Sequence, residues 1–154
     1  MFSQTPDYLK KKVSRQPAPD QREGVPLHFH CALVIEEDEE RRRVWVQLLK
    51  KRGWLVHGMR RAEQALPILG RISYHLIIAD AELPGLSGLQ FARMLRHSRE
   101  WGSIPVIVLA NTRSHRATRV GACVIRRSAW CNELTKTLPG IEADLDRKGA
   151  NQEC

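Results

Sequence analysis

Short apolar runs alternate with amphipathic segments through the middle of this chain, and no other feature constrains its fold as strongly. The runs are rich in Val, Ile and Leu, which favour buried strands, and the segments between them carry apolar residues at helical spacing. The predicted strands are Phe29–Ile35, Trp54–Val56, Leu76–Ala79, Ile104–Ala110 and Cys123–Ile125. The predicted helices are Glu39–Arg52, Ala62–Leu69, Leu89–Arg96 and Ser128–Leu138, with Thr112–Val120 as a short polar helix or loop. Such alternation predicts an α/β fold, a doubly wound five-stranded parallel sheet with helices on both faces.

The flanking segments differ in composition from this alternating region. Residues 1–27 are rich in Gln, Pro and charge and show no periodicity, so they are predicted to be a flexible basic tail. Residues 28–139 form the predicted domain, and residues 140–154 are a C-terminal tail or an extension of the last helix. A chain of 154 residues has room for one such domain.

Several classes of protein are disfavoured by what the sequence lacks. No apolar run approaches the roughly 18 residues that span a bilayer, and the first residues contain no signal-peptide core. We therefore expect a cytoplasmic protein without membrane insertion. The four cysteines form no CxxC pair, which argues against a zinc framework, and no Gly-rich phosphate loop or cofactor fingerprint is present.

Acidic residues follow two of the predicted strands. Glu36, Glu37 and Asp38 follow the first strand, and Asp80 follows the third. In a doubly wound sheet these strand ends share one edge, where ligands bind. Mg²⁺ would relieve the repulsion among such carboxylates, and Asp80 would then be a nucleophile toward phosphorus. The alternative is that these residues are merely solvated and cap helices.

The segment Asp80-Ala81-Glu82-Leu83-Pro84-Gly85-Leu86-Ser87-Gly88 resembles the phosphoacceptor loop of bacterial response-regulator receiver domains, D-x-x-L/M-P-x-x-x-G. The stretches 32–38, 53–56 and 104–109 resemble the first, second and fourth strands of the same family. The resemblance covers residues 30 to 138 and implies the flavodoxin-like, CheY-like strand order 2-1-3-4-5. It also implies roles in binding and phosphoryl transfer for residues at the matching positions: Asp80 as the phosphoacceptor, and Glu36, Glu37, Asp80 and the backbone carbonyl of Glu82 as Mg²⁺ ligands.

The chain departs from the family pattern at the positions that report phosphorylation. Ala110 stands where the family has Thr or Ser, and Val124 falls where an aromatic switch residue is expected, so both switch positions are degenerate. Arg126 or Arg127 takes the place of the lysine that balances the phosphoryl charge, and the sequence leaves open which one does. The acidic pair is Glu-Glu, whose longer side chains move each carboxylate outward.

The positive charge of the chain, +8 in total, is concentrated late in the domain. Residues 93–136 hold nine basic residues against Glu100 and Glu133. A helix over 112–120 would place Arg113, Arg116 and Arg119 on one basic interaction face. Such a face suits an acidic protein partner or nucleic acid, and a solvated basic face is the other interpretation.

The resemblance and the composition together predict a stand-alone, divergent receiver of two-component signal transduction, either a monomer or a dimer. It would act through protein–protein interaction with a sensor histidine kinase or another signalling protein. In the version that uses phosphate chemistry, Asp80 would be phosphorylated. It would not be an enzyme beyond self-phosphorylation from a phosphodonor. The alternative is a phosphorylation-independent pseudo-receiver or basic adaptor that contacts nucleic acid or the transcription machinery through residues 93–136.

Overall fold

A computed structural model describes residues 29–111 and 122–150 of the chain. The predicted N-terminal tail and the predicted basic face of Arg113, Arg116 and Arg119 lie outside the described residues. The same holds for the helix or loop predicted over 112–120.

The described chain forms a five-stranded sheet in which every neighbouring pair of strands is parallel. The strand order is β2-β1-β3-β4-β5, which confirms the predicted fold class and order. The strands are β1 (Cys31–Ile35), β2 (Leu55–Met59), β3 (Leu76–Asp80), β4 (Val106–Ala110) and β5 (Cys123–Arg126). The helices are α1 (Glu39–Lys51), α2 (Leu66–Leu69), α3 (Gly88–His97) and α4 (Trp130–Ala150), with 3₁₀ turns at Ala62–Gln64 and Arg127–Ala129.

Alternation of side chains along the strands supplies apolar residues to both faces of the sheet. On one face Leu33 and Ile35 of β1 join a core with Phe91 and Leu95 of α3. On the other face Val34 packs in a core to which α1 and α4 contribute Trp45, Leu49, Leu134 and Leu138. A strand buried on both faces needs apolar residues at successive positions, which explains the unbroken apolar sequences of β1 and of Leu76–Ala79 in β3.

The register of the sheet brings the ends of its strands to one edge. Ile35 pairs with Ala79, Asp80 with Leu109, and Ala110 with Arg126. Residues that end β3, β4 and β5, or that follow β1, therefore lie side by side. This edge carries the acidic residues that the sequence places after the first and third strands.

The last helix differs from its predicted extent of Ser128–Leu138. It begins at Trp130, after the 3₁₀ turn, and continues through Pro139 and Gly140 to Ala150. Tertiary contacts explain this continuation. Beyond Pro139, Ile141 and Leu145 pack against the core shared with α1. The carboxylate of Glu142 also accepts hydrogen bonds from the Arg52 guanidinium and the Trp54 indole, at 3.0 and 2.8 Å. Residues 140–150 are thus a helix extension.

Candidate functional site

Asp80 is the last residue of β3, the central strand, and only 2% of its surface is exposed. Its Oδ1 accepts a hydrogen bond from the backbone N–H of Glu82 at 2.8 Å. That bond turns the chain back over the carboxylate immediately after the strand. A carboxylate so placed at the carboxyl edge of the central strands is in the position where doubly wound sheets bind ligands.

The loop that follows Asp80 makes contacts with the core, with Glu63 and with the start of α3. Leu83 is buried in the core beneath α3, and Gly85 adopts φ +76°, a conformation that favours glycine. The carboxylate of Glu63 accepts a hydrogen bond from the N–H of Leu86 at 2.8 Å, and this bond lowers the pKa of Glu63. Ser87 then caps α3 in a capping box with Gln90. These contacts hold the loop to the core, to Glu63 and to the start of α3.

Glu36 directly follows β1 and is even more buried than Asp80, with 1% of its surface exposed. Its Oε1 accepts hydrogen bonds from the N–H of Asp38 at 2.9 Å and from Arg41 Nη2 at 3.0 Å. Burial raises the pKa of Glu36, and the neighbouring carboxylate of Asp80 raises it further against the lowering effect of Arg41. Its Oε2 is buried without a hydrogen-bond partner within the described part of the chain.

The other acidic residues after β1 have different surroundings from Glu36. The side chain of Glu37 is exposed, and its backbone carbonyl accepts a hydrogen bond from Arg42 Nη1 at 3.2 Å. Asp38 is the N-cap of α1, where its Oδ1 accepts from the N–H of Arg41 at 2.8 Å. Of the three, only Glu36 therefore joins Asp80 as a buried carboxylate.

Arg127, which follows β5, contacts Asp80. Its Nη2 donates to Asp80 Oδ1 in an ion pair, and its Nη1 reaches Glu82 Oε2 at 3.4 Å. The Nε of Arg127 is buried and has no hydrogen-bond partner among residues 29–111 and 122–150. Arg126, the other candidate for the place of the family's lysine, is the exposed last residue of β5. The geometry therefore brings Arg127 to the acidic site.

The two positions predicted to be degenerate switch residues, Ala110 and Val124, both carry apolar side chains. Ala110 ends β4 and is 7% exposed, and it offers only a methyl group. Val124 is half-buried and packs with Ala92 and Val108. Neither residue can donate a hydrogen bond from its side chain to a group on Asp80.

Two residues of the site were missed by the sequence reasoning. Arg41 pairs with Glu36 from the first turn of α1, and Asn111 donates from Nδ2 to both carboxylate oxygens of Glu82 at 3.2 and 3.3 Å. Asn111 directly follows the degenerate Ala110, so its position at a strand end was an available signal. For Arg41 the signal was its place in the first helical turn after the acidic pair.

The acidic edge has features that suit a hard divalent cation. Glu36 and Asp80 are two buried carboxylates in each other's field, and Glu36 Oε2 lacks a partner among the described residues. Mg²⁺ usually keeps several waters and takes only one or two protein carboxylates. In the described ranges no three His, Cys, Asp or Glu side chains cluster as a metal site, and the buried carboxylates at this edge are those of Glu36 and Asp80.

Comparison with known protein families finds one whose model matches this chain. The sequence model of the response regulator receiver domain matches residues 32–125, more than half of the protein. The chain belongs to the receiver domain family of two-component signalling. No helix within the described ranges is long and apolar enough to cross a membrane.

Two curated relatives match about half of this chain. The sensory/regulatory protein RpfC of Xanthomonas campestris pv. campestris is 35% identical over 80 residues, which are 51% of this chain and 11% of that protein. Hybrid signal transduction histidine kinase A of Dictyostelium discoideum is 27% identical over 89 residues, 55% of this chain and 4% of that protein. The chain thus spans about a tenth or less of the length of these relatives.

Solved structures with low sequence identity share the fold. Chemotaxis protein CheY4 of Vibrio cholerae superposes with a TM-score of 0.66 at 20% identity, over 73% of this chain and 98% of that one. The receiver domain of a signal transduction histidine kinase from Syntrophus aciditrophicus gives 0.69 at 20% identity, over 77% and 93%. TrrA of Thermotoga maritima, in complex with Mg²⁺ and BeF, gives 0.65 at 23% identity, over 73% and 99%.

Proposed function

We propose that this receiver domain accepts a phosphoryl group on Asp80 and passes the signal on through protein–protein contacts. The observation that carries the proposal is the position of the Asp80 carboxylate. It lies buried at the edge of the central strand, between the Arg127 guanidinium and the second carboxylate, Glu36.

The chemistry required of this chain is a single displacement at phosphorus. A carboxylate oxygen of Asp80 attacks the phosphorus of a phosphohistidine or of a small phosphoramidate. The new oxygen–phosphorus bond forms as the phosphorus–nitrogen bond breaks, and the leaving nitrogen takes a proton. Arg127, already paired with Asp80, supplies positive charge beside the transferred group.

We further propose that Mg²⁺ is the cofactor of this transfer. Glu36, Asp80 and the backbone carbonyl of Glu82 would hold it, and Glu37 remains a predicted ligand although its side chain is exposed. When bound, the ion neutralises charge on the phosphoryl oxygens. Among the described residues Glu36 Oε2 has no hydrogen-bond partner, which supports this assignment.

The partners follow from the same proposal. A sensor histidine kinase is the expected phosphoryl donor, and the exchange would take place in the cytoplasm. The names of two curated relatives, a sensory/regulatory protein and a hybrid histidine kinase, support this class of donor. We expect no turnover of external substrates, only phosphorylation of the domain itself.

The alternatives predict different behaviour of Asp80. A pseudo-receiver would leave Asp80 unmodified, and the loss of the hydroxyl at Ala110 and of the aromatic side chain at Val124 motivates it. The basic adaptor rests on residues 93–136, and no described contact favours nucleic acid as its partner.

The deciding experiment is the intact mass of the protein after incubation with Mg²⁺ and a small phosphodonor such as phosphoramidate. We expect a single phosphoryl adduct on the native protein and none on the Asp80→Asn variant. An unmodified native protein across a range of Mg²⁺ concentrations would refute phosphorylation and leave the pseudo-receiver.

A further inference from the structure

The guanidinium of Arg127 has more hydrogen-bonding capacity than the described site uses. Its Nη2 donates to Asp80 and its Nη1 faces Glu82, while its Nε is buried without a partner in the described ranges. An unmade hydrogen bond at a buried donor is costly, because the group has lost its water and gained nothing in return. A buried donor left open beside Asp80 is a position prepared for an acceptor that the described residues do not supply.

The end of β4, in contrast, lacks a hydrogen-bond donor on its side chain. Ala110 is nearly buried at the site edge and presents a methyl group. A phosphoryl group on Asp80 would bring several strong acceptor oxygens to this edge. With Ala110 in place, none of those oxygens receives a hydroxyl donor from that position.

We infer that Arg127 fills both deficits: it balances the phosphoryl charge and also supplies the hydrogen-bond donor that Ala110 lacks. This inference rests on the phosphorylation of Asp80 proposed above. The planar guanidinium donates through Nε and Nη2 to phosphoryl oxygens in a bidentate arrangement, for which a lysine ammonium has no equivalent. An arginine at this position therefore allows an alanine at the end of β4.

Glu82 and Asn111 hold the guanidinium in the orientation that this role needs. Glu82 receives Arg127 Nη1 on one oxygen, and Asn111 Nδ2 donates to both of its oxygens. The ends of β3, β4 and β5 are thereby linked through one carboxylate. Arg127 can turn Nε and Nη2 toward a phosphoryl group while Nη1 stays on Glu82.

The test is a double-mutant cycle between Arg127→Lys and Ala110→Thr. The probe is beryllofluoride with Mg²⁺, titrated against the folded protein and followed by fluorine NMR. Arg127→Lys is expected to weaken binding by about tenfold or more, because one charge-assisted hydrogen bond is lost. Ala110→Thr should change binding by less than about twofold in the native background, yet recover most of the loss when it is combined with Arg127→Lys.

Two controls separate this role from a structural one. Arg126→Lys makes the same chemical change at the neighbouring exposed residue and should leave binding unaltered. The nitrogen NMR signal of Arg127 Nε–H should shift and exchange more slowly with water when beryllofluoride binds, which a purely structural arginine would not show.

Each outcome has a distinct meaning. If Ala110→Thr improves binding by the same factor in both backgrounds, or if Arg127→Lys binds as tightly as the native protein, the inference is overturned and the proposed function stands. If neither the native protein nor any variant binds beryllofluoride, the proposed function itself fails.

Discussion

Gly88, the first residue of α3, lies close to the backbone at the end of β3. A Cβ built on Gly88 would stand 2.8 Å from the carbonyl carbon of Asp80 and closer still to the carbonyl oxygen. Carbon atoms in contact prefer about 3.5–4.0 Å, so Gly88→Ala must move the strand end or the helix start by about 1 Å. Both sides are backbone held by other contacts, including the Ser87 capping box and the buried Phe91.

We therefore expect Gly88→Ala to destabilise the protein by about 3 kcal/mol, at the upper end of the cost of overpacking. Urea unfolding followed by circular dichroism measures this change. The matched control is Gly70→Ala, since Gly70 has φ −79° and open space around its Cβ position. That variant should be unchanged or up to about 1 kcal/mol more stable. Equal stability of Gly88→Ala and the native protein, or equal damage from both variants, would refute the close approach of helix and strand.

Three further predictions concern the helices. Asp38→Ala removes the N-cap of α1 and should cost about 1 kcal/mol in urea unfolding, whereas an unchanged midpoint would show that the cap contributes nothing. Burial raises the pKa of Glu142, but hydrogen bonds from Arg52 and Trp54 outweigh this and lower it below the ordinary 4.5. The stabilisation by Glu142 is thus complete above pH 4.5 and lost as the pH falls through the lower folded pKa, so the stability gap between native protein and Glu142→Gln should close in acid. A gap of constant size would contradict this. Pro139→Ala should stabilise α4 by about 1–3 kcal/mol, and a loss of stability or helix content would show that proline is favoured there.

The strand pattern made the fold predictable because the central strands of a doubly covered sheet are buried on both faces and therefore apolar. The runs Leu76–Ala79 of β3 and Val106–Ala110 of β4 are unbroken stretches of Ile, Leu, Val and Ala, and they indicated the strand order once the family pattern was recognised. β2 was harder to delimit: it was predicted over Trp54–Val56 but runs over Leu55–Met59, where His57 and Gly58 carry no strand signal. Its pairing with β1 determines its length.

Side-chain partners at the site depended on information that local sequence does not hold. A shift of one residue at the end of a strand sends a side chain to the other face, so Arg126 and Arg127 could not be distinguished before the end of β5 was known. The position of Arg41 in the first turn of α1 could be read from the sequence, but its pairing with Glu36 depends on the direction of α1 relative to the sheet. The helix across Pro139 depends on the distant Arg52 and Trp54, whose bonds to Glu142 no local pattern reveals.

Phosphorylation of Asp80, as proposed above, would convert its carboxylate into an acyl phosphate. Borohydride reduces an acyl phosphate to an alcohol, so treatment of the phosphodonor-reacted protein followed by peptide mass spectrometry locates the modified residue. We expect the reduced side chain at residue 80 alone, dependent on both Mg²⁺ and the phosphodonor. Reduction at Glu36 or another carboxylate, or at no residue, would contradict the claim.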